Sequence, residues 1–217
     1  MKLNNIMKIR TFIFNPFQEN TYILYDDTRQ CVIIDAGNFD KEESTQLTDF
    51  ILRNKLIPKY LLNTHAHIDH ILGNRYVNIM FNLIPHFNKA DLFLYEFSGE
   101  AAQMYGIPYT KQLPPYGFID ETSTIVFGNT LLHCLHVPGH SPGSLCFYNK
   151  NSNILISGDV LFKESIGRTD LPRGDYQQLL SGISEKLLTL PDETLVYPGH
   201  GEYTTIKHEK NYNPFFR

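Results

Sequence analysis

Three of the nine histidines fall within six positions of the run THAHIDH, as His65, His67 and His70, with Asp69 beside the last. The run follows an apolar stretch, Tyr60 to Asn63, that reads as a strand. On a helix, residues two apart point about 200° apart, whereas in extended chain they share a face, so His65 and His67 reach one ion if the strand continues into them. Asp69 and His70 come where ILGNRY can begin a short helix, and the change of backbone direction aims this pair at a different point. Single candidates stand in Gly- and Pro-punctuated turns after other apolar strands: His140 in VPGHSPGS, Asp159 in ISGDVLF and His200 in VYPGHG. Each strand delivers a polar residue at its end, where a rigid backbone holds the side chain and the loop leaves it accessible. Imidazoles and carboxylates without a cysteine suit zinc, iron or manganese rather than a structural Cys-type zinc site. Seven candidates exceed the four ligands around one tetrahedral zinc, so two divalent ions are implied. A lone histidine before a turn is more often a core or capping residue, and it is the company of the cluster that reverses this for His140 and His200. His86, His133, His136 and His208 lack such company and read as structural or surface residues, with His136, four positions before His140, placed to stand behind a ligand.

The elements that must position these residues are short apolar runs. Lys8 to Phe14, Thr21 to Tyr25, Cys31 to Asp35, Ser123 to Phe127, Thr130 to Val137, Ser144 to Tyr148, Ile154 to Ser157 and Thr194 to Tyr197 read as further strands. Residues 40 to 55 put Leu47, Phe50 and Ile51, with Asn54 at the end, on one helical face, and residues 175 to 189 form a second amphipathic helix. The stretch from Asn78 to Phe118 reads as one helix followed by a loop, because Pro108, Pro114 and Pro115 break any regular element. Strands in runs with interspersed helices predict two packed sheets covered by helices, in one domain spanning residues 1 to 217. With 217 residues, 42% of them hydrophobic, the chain can bury a full core. A net charge of −4 gives no handle on a phosphate backbone, so nucleic acid is not an expected partner. Cys31, Cys134 and Cys146 sit apart among apolar residues and read as free core thiols in a reducing compartment. No stretch looks like a signal peptide or a membrane span, so the expected location is the cytoplasm, with no membrane partner.

His65, His67, Asp69 and His70 meet in full the HxHxDH motif of the metallo-β-lactamase superfamily, which the chain resembles. GHSPGS, SGD and PGH follow in that family's order, and IGRTDLPRGD, from Ile166 to Asp175, resembles the loop of its glyoxalase II-like hydrolases. The ending TTIKHEKNYNPF is similar to that of short members of that group. The resemblance implies an α+β fold, the four-layer αββα sandwich, with metals in a groove at one sheet edge. It implies that His65, His67 and His140 hold one ion, that Asp69, His70 and His200 hold the other, and that Asp159 bridges them. Asp69 and Asp159 are then catalytic as well as ligating. Asp35, in the IDAG turn, resembles the family's acidic residue behind the ligands, although Ala36 stands where proline is common.

Two ions sharing a water lower its pKa from about 15.7 towards about 7, which makes a bridging hydroxide nucleophile and removes the need for serine or cysteine. A thiolate, with pKa near ~8.5, leaves without a strong general acid, so thioester hydrolysis fits the site. The resemblance to glyoxalase II implies S-lactoylglutathione or a related acyl thioester as the small-molecule substrate. Classical glyoxalase II has a C-terminal helical domain that grips glutathione; here 17 residues follow His200, and that domain is expected to be missing. Recognition then falls to Lys163, Arg168 and Arg173 and to the tyrosines 105, 109 and 116, unless Arg168 simply pairs with Asp170 and the tyrosines pack the sandwich edge. Persulfide dioxygenases resemble the chain in HxHxDH and GRTD and imply instead one iron on His65, His140 and Asp159. A lactonase or β-lactamase shares the same metal core. Flavodiiron proteins and the superfamily's RNA nucleases are disfavoured by His67 and by the lack of basic arms, and a metal-free binding module by the full ligand set.

Overall fold

The computed structural model describes residues 7–111 and 114–217. In β3 (Gln30–Ile34), Val32 and Ile34 face one way, Cys31 and Ile33 the other, and all four are buried. A strand keeps such a run only when both faces of its sheet are covered. β3 lies inside a six-stranded sheet that begins with β1 (Lys8–Phe14) and β2 (Glu19–Tyr25), antiparallel to one another and to β3. It continues in parallel through β4 (Ile57–Leu62), β5 (Pro85–Phe87) and β6 (Gly117–Phe118). The second six-stranded sheet comprises β7 (Thr124–Phe127), β8 (Thr130–His136), β9 (Leu145–Asn149), β10 (Ile154–Gly158), β13 (Leu195–Pro198) and β14 (Thr204–Thr205). Its spatial order is β14-β13-β10-β9-β8-β7, with β10 and β13 parallel. A small hairpin, β11 (Leu161–Phe162) and β12 (Ser165–Ile166), stands apart from both.

The two inner faces close on Tyr22, Leu24, Val32, Ile34 and Leu62 from one sheet and Phe127, Leu132, Leu145, Phe147 and Ile156 from the other. Helices cover the outer faces. α1 (Lys41–Arg53) starts at Asp40, whose side chain accepts from Glu43 N at 2.9 Å, a cap worth about 1 kcal/mol. It lays Leu47 and Ile51 on Ile23, Cys31 and Ile33, while Asn54 is exposed and closes the helix by donating to the Phe50 carbonyl instead of extending the buried face. Opposite, α6 (Tyr176–Gly182) and the π-helical turn Ile183–Leu187 bury Leu179, Ile183 and Leu187, one above another, on Cys146, Leu155 and Val196. The layers are therefore helix, sheet, sheet, helix, as expected, and all three cysteines are free and buried. Among the described residues no helix is long and apolar enough to cross a membrane.

The expectation of one helix and a loop between Asn78 and Phe118 is corrected. α3 (Asn74–Phe81) precedes β5, and a 3₁₀ turn, Lys89–Asp91, leads into α4 (Leu92–Glu96) and α5 (Ser98–Met104) before β6. Leu94, Tyr95 and Ala102 from these short helices pack with Phe87 and with Ile68 and Ile71 of α2 (Ile68–Ile71), beside the histidine-rich segment. Pieces of three to seven residues are too short to display a period, which is why the sequence hides them.

Candidate metal centre

The strand before the histidine run ends at Leu62, so it does not continue into His65 and His67 as the sequence suggests. What shapes the segment instead is Asp35, at the end of β3, whose carboxylate accepts from Thr64 N at 2.7 Å and from Thr64 Oγ1 at 2.6 Å. His67, in extended backbone at the start of α2, still joins His65 on one side, and Asp69 and His70 turn away in the first turn of that helix. The remaining donors arrive from the second sheet: His140 from the loop joining β8 and β9, Asp159 just after β10, and His200 just after β13.

All seven predicted donors converge. His67 Nδ1 lies 2.9 Å and His65 Nε2 3.3 Å from His140 Nε2. His200 Nε2 is 3.1 Å and His70 Nε2 3.7 Å from Asp69 Oδ2. Asp159 stands between the two groups, with Oδ1 3.4 Å from His70 Nε2 and Oδ2 3.6 Å from both His140 Nε2 and His200 Nε2. Gly199 makes this possible, since a Cβ there would fall 2.1 Å from Asp159 Oδ1.

The far nitrogens fix the proton positions. His140 Nδ1 donates to the Arg168 carbonyl at 2.8 Å, and His200 Nδ1 to the Phe17 carbonyl at 3.1 Å. His70 Nδ1 donates to Asp35 at 3.0 Å, and His65 Nδ1 to Thr64 Oγ1 at 3.0 Å, whose own proton is committed to Asp35. With Nδ1 so engaged in all four, Nε2 is the nitrogen that faces the centre. His70 Nε2 and Asp159 Oδ1 are buried without any hydrogen-bond partner. Burial, reinforced by the neighbouring histidines, drives His65 well below its ordinary pKa, and burial with His140 takes His67 to about 3. Burial opposes charge on Asp69 and Asp159 as well, but the histidines, His70 foremost, outweigh it and keep both carboxyls ionised. Burial opposes charge on His70 and His200 too, but Asp69 and Asp159 outweigh it, lifting His70 well above its ordinary value and raising His200, so without an ion these rings hold protons that a cation would displace. Nitrogens and carboxylate oxygens converging 3 to 4 Å apart suit a cation, since nitrogens at about 2.0–2.1 Å around a tetrahedral zinc stand about 3.3 Å from one another. The residues fit the two ions that the sequence implies, the first among His65, His67 and His140, the second among Asp69, His70 and His200.

Asp35 holds Thr64 and His70 from behind. Beside it the sequence reading missed Glu19, fully buried, whose carboxyl is pushed well up by burial. It also missed Asp91, a buried carboxylate that reaches the histidine loops from the turn before α4. His136 donates to the Pro142 carbonyl at 2.8 Å and so fastens the loop of His140 rather than the ring. His133 is exposed, His208 pairs with Glu164 at 2.9 Å, and His86 packs on Tyr60.

At the rim, the three basic residues expected to meet substrate are engaged within the chain. Arg168 forms a bidentate pair with Asp170, both bonds 2.7 Å. Lys163 pairs with Glu202 at 2.8 Å, lining a groove of about 620 Å³ with Asn20, Tyr197 and Tyr203. The guanidinium of Arg173, a residue in left-handed backbone, lies 4.0 Å over the Phe93 ring. Tyr109 and Tyr116 pack around Phe87 and Tyr95, whereas Tyr105 is exposed, edge-on to Phe17, whose carbonyl holds His200.

The profile of the metallo-beta-lactamase superfamily matches residues 14–200, a span that contains all seven donors. The chain is 39% identical over 211 residues to the hydroxyacylglutathione hydrolase GloC of Haemophilus influenzae, covering 96% of this chain and 98% of that one. Among solved structures, the B3 metallo-beta-lactamase BLEG-1 superposes with a TM-score of 0.88 at 35% identity, covering 96% of this chain and 99% of the other. TTHA1623, solved in a di-iron-bound form, superposes with a TM-score of 0.85 at 36% identity, covering 95% and 99%. With the layered sandwich, the ordered motifs and near-complete coverage in agreement, the chain belongs to the metallo-beta-lactamase superfamily.

Proposed function

We propose that the chain is a two-metal hydrolase of acyl thioesters, of the hydroxyacylglutathione type. The observation that carries the reading is the position of Asp159 between the two groups, Oδ1 toward His70 and Oδ2 equally far from His140 and His200, with His70 Nε2 and Asp159 Oδ1 buried and without a hydrogen-bond partner. Ions held there supply a water of lowered pKa and an electrophile for the carbonyl oxygen. The chain's own residues do the rest: Asp35, Thr64 and the carbonyls of Phe17 and Arg168 keep the donor nitrogens aimed, and Asp159 ties the two groups together. No thiol competes as nucleophile, because burial raises Cys31 to about 12 and Cys134 to about 11, and pushes Cys146 up as well. Ser141, beside His140, has its hydroxyl committed to Asp91. A centre with so little acid to offer favours a leaving group that needs none, and a thiolate is one. Full-length identity of 39% to a hydroxyacylglutathione hydrolase supports the same substrate class.

The test is elemental analysis of protein purified without chelators, together with a panel of lactoyl and acetyl thioesters. About two ions per chain with thioester turnover is the expected result. His67→Ala and Asp159→Ala should each lower kcat/KM by more than about a hundredfold, the upper loss seen for residues merely behind a ligand. Turnover that survives either change overturns the mechanism, and one iron per chain with oxygen consumed on glutathione persulfide replaces the hydrolase with a dioxygenase.

A further inference from the structure

Asp91 is fully buried, and every donor its side chain meets lies in one of the two loops that carry His65, His67 and His140. Oδ2 accepts from the backbone N–H of Ala66, the residue between His65 and His67, at 3.1 Å. The same oxygen accepts from Ser141 Oγ, the residue after His140, at 2.7 Å, and Oδ1 accepts from Gly143 N at 2.6 Å. Gly143 has no side chain to keep the carboxylate away: a Cβ there would lie 2.5 Å from Asp91 Cγ. The loops come from different sheets, one after β4 and one between β8 and β9, and a single backbone bond, Leu145 N to the Thr64 carbonyl at 2.8 Å, also joins them here. The spacing of His65 Nε2, His67 Nδ1 and His140 Nε2 therefore depends on how Ala66 sits relative to Ser141.

We propose that Asp91 is a positioning residue that sets the His65–His67 loop against the His140 loop, so that the three-nitrogen position of the centre is formed only while its carboxylate bridges them. The inference rests on the reading of the cluster as a metal centre and assigns one of its two positions a dedicated support. Replacing Asp91 by Asn keeps the shape and one acceptor oxygen, but its NH2 group must face either Ala66 N–H or Gly143 N–H, so one backbone donor is left unpaired whichever way the amide turns. The second position, built from Asp69, His70 and His200, has no contact with Asp91 among its hydrogen bonds.

Full-length wild type, Asp91→Asn, Ser141→Ala and the double variant are stripped of metal and titrated with zinc against a chromophoric chelator, and the three-histidine position is identified as the one that His67→Ala abolishes. Asp91→Asn is expected to weaken that position about tenfold to a hundredfold while leaving the other within about threefold. Ser141→Ala should weaken the same position by about three- to tenfold and add nothing to Asp91→Asn in the double variant. The cobalt-loaded variants should show the loss as a changed absorption of the three-histidine ion alone. Unchanged affinity in both single variants, or an equal loss at both positions that follows melting temperature, overturns the proposal; if Asp91→Asn does not fold, Ser141→Ala decides by the same criteria. A wild-type chain that takes up no ion overturns the metal reading and this inference with it, whereas two ions in the wild type and an unaltered Asp91→Asn overturn only the role of Asp91.

Discussion

Gly199 measures the room left at the centre. A methyl group there meets Asp159 Oδ1 at 2.1 Å and His70 Cε1 at 2.7 Å, both held by buried neighbours. Gly199→Ala is expected to cost about 1–3 kcal/mol by overpacking and to cut metal content from about two ions towards one, which calorimetry and elemental analysis will read. The seven side chains that converge were legible in the sequence because their chemistry is in their side chains, four of them crowded into THAHIDH and the other three each where an apolar strand meets a Gly- or Pro-punctuated turn. What aims them was legible only in part. Asp35 is itself an acidic side chain in a turn, but His140 and His200 are oriented by the carbonyls of Arg168 and Phe17, and a carbonyl is common to every residue.

Among the elements, strands and the two long helices follow from period and caps, whereas the pieces between Asn78 and Phe118 do not. β5 has three residues and begins with Pro85, and α4 has five, so neither completes a pattern, yet the turn between them supplies Asp91. A second hub of this kind joins the two sheets far along the chain. Asp26, in the turn after β2, accepts from Thr28 N at 2.9 Å and, from the turn between β7 and β8, from Asn129 N at 2.7 Å and Thr130 Oγ1 at 3.0 Å. Burial works against its charge, but these donors outweigh burial and hold the carboxyl below its ordinary value. Its contribution is thus complete above the unfolded carboxyl value of about 3.9 and is lost as pH falls through the lower folded value. Asp26→Asn should cost about 1–3 kcal/mol in denaturant melts at neutral pH, and the difference from wild type should shrink below pH ~3.

Across the whole molecule, donors from two sheets meet at one end of the sandwich. Asn20 and Tyr22 of the first sheet also hold the His200 turn of the second, Tyr22 donating to the Pro198 carbonyl at 2.5 Å and Asn20 to those of Pro198 and Gly201 at 3.0 and 2.9 Å. An ion gripped there joins the same halves, and at a free concentration a hundred times its Kd it adds about 2.7 kcal/mol. Exhaustive chelation should lower Tm by several degrees, at about 2–4 °C per kcal/mol for a chain of this size, and zinc should restore it in a melting scan. The entrance is built differently from the floor. Arg168 and Lys163 are exposed and already joined to Asp170 and Glu202. A visiting carboxylate must evict a resident one, and the exchange yields only the small difference between two solvent-washed pairings. Selectivity gained by eviction is shallow, so under the proposed function the chain is expected to discriminate by the bond presented to it and little by what hangs from either end.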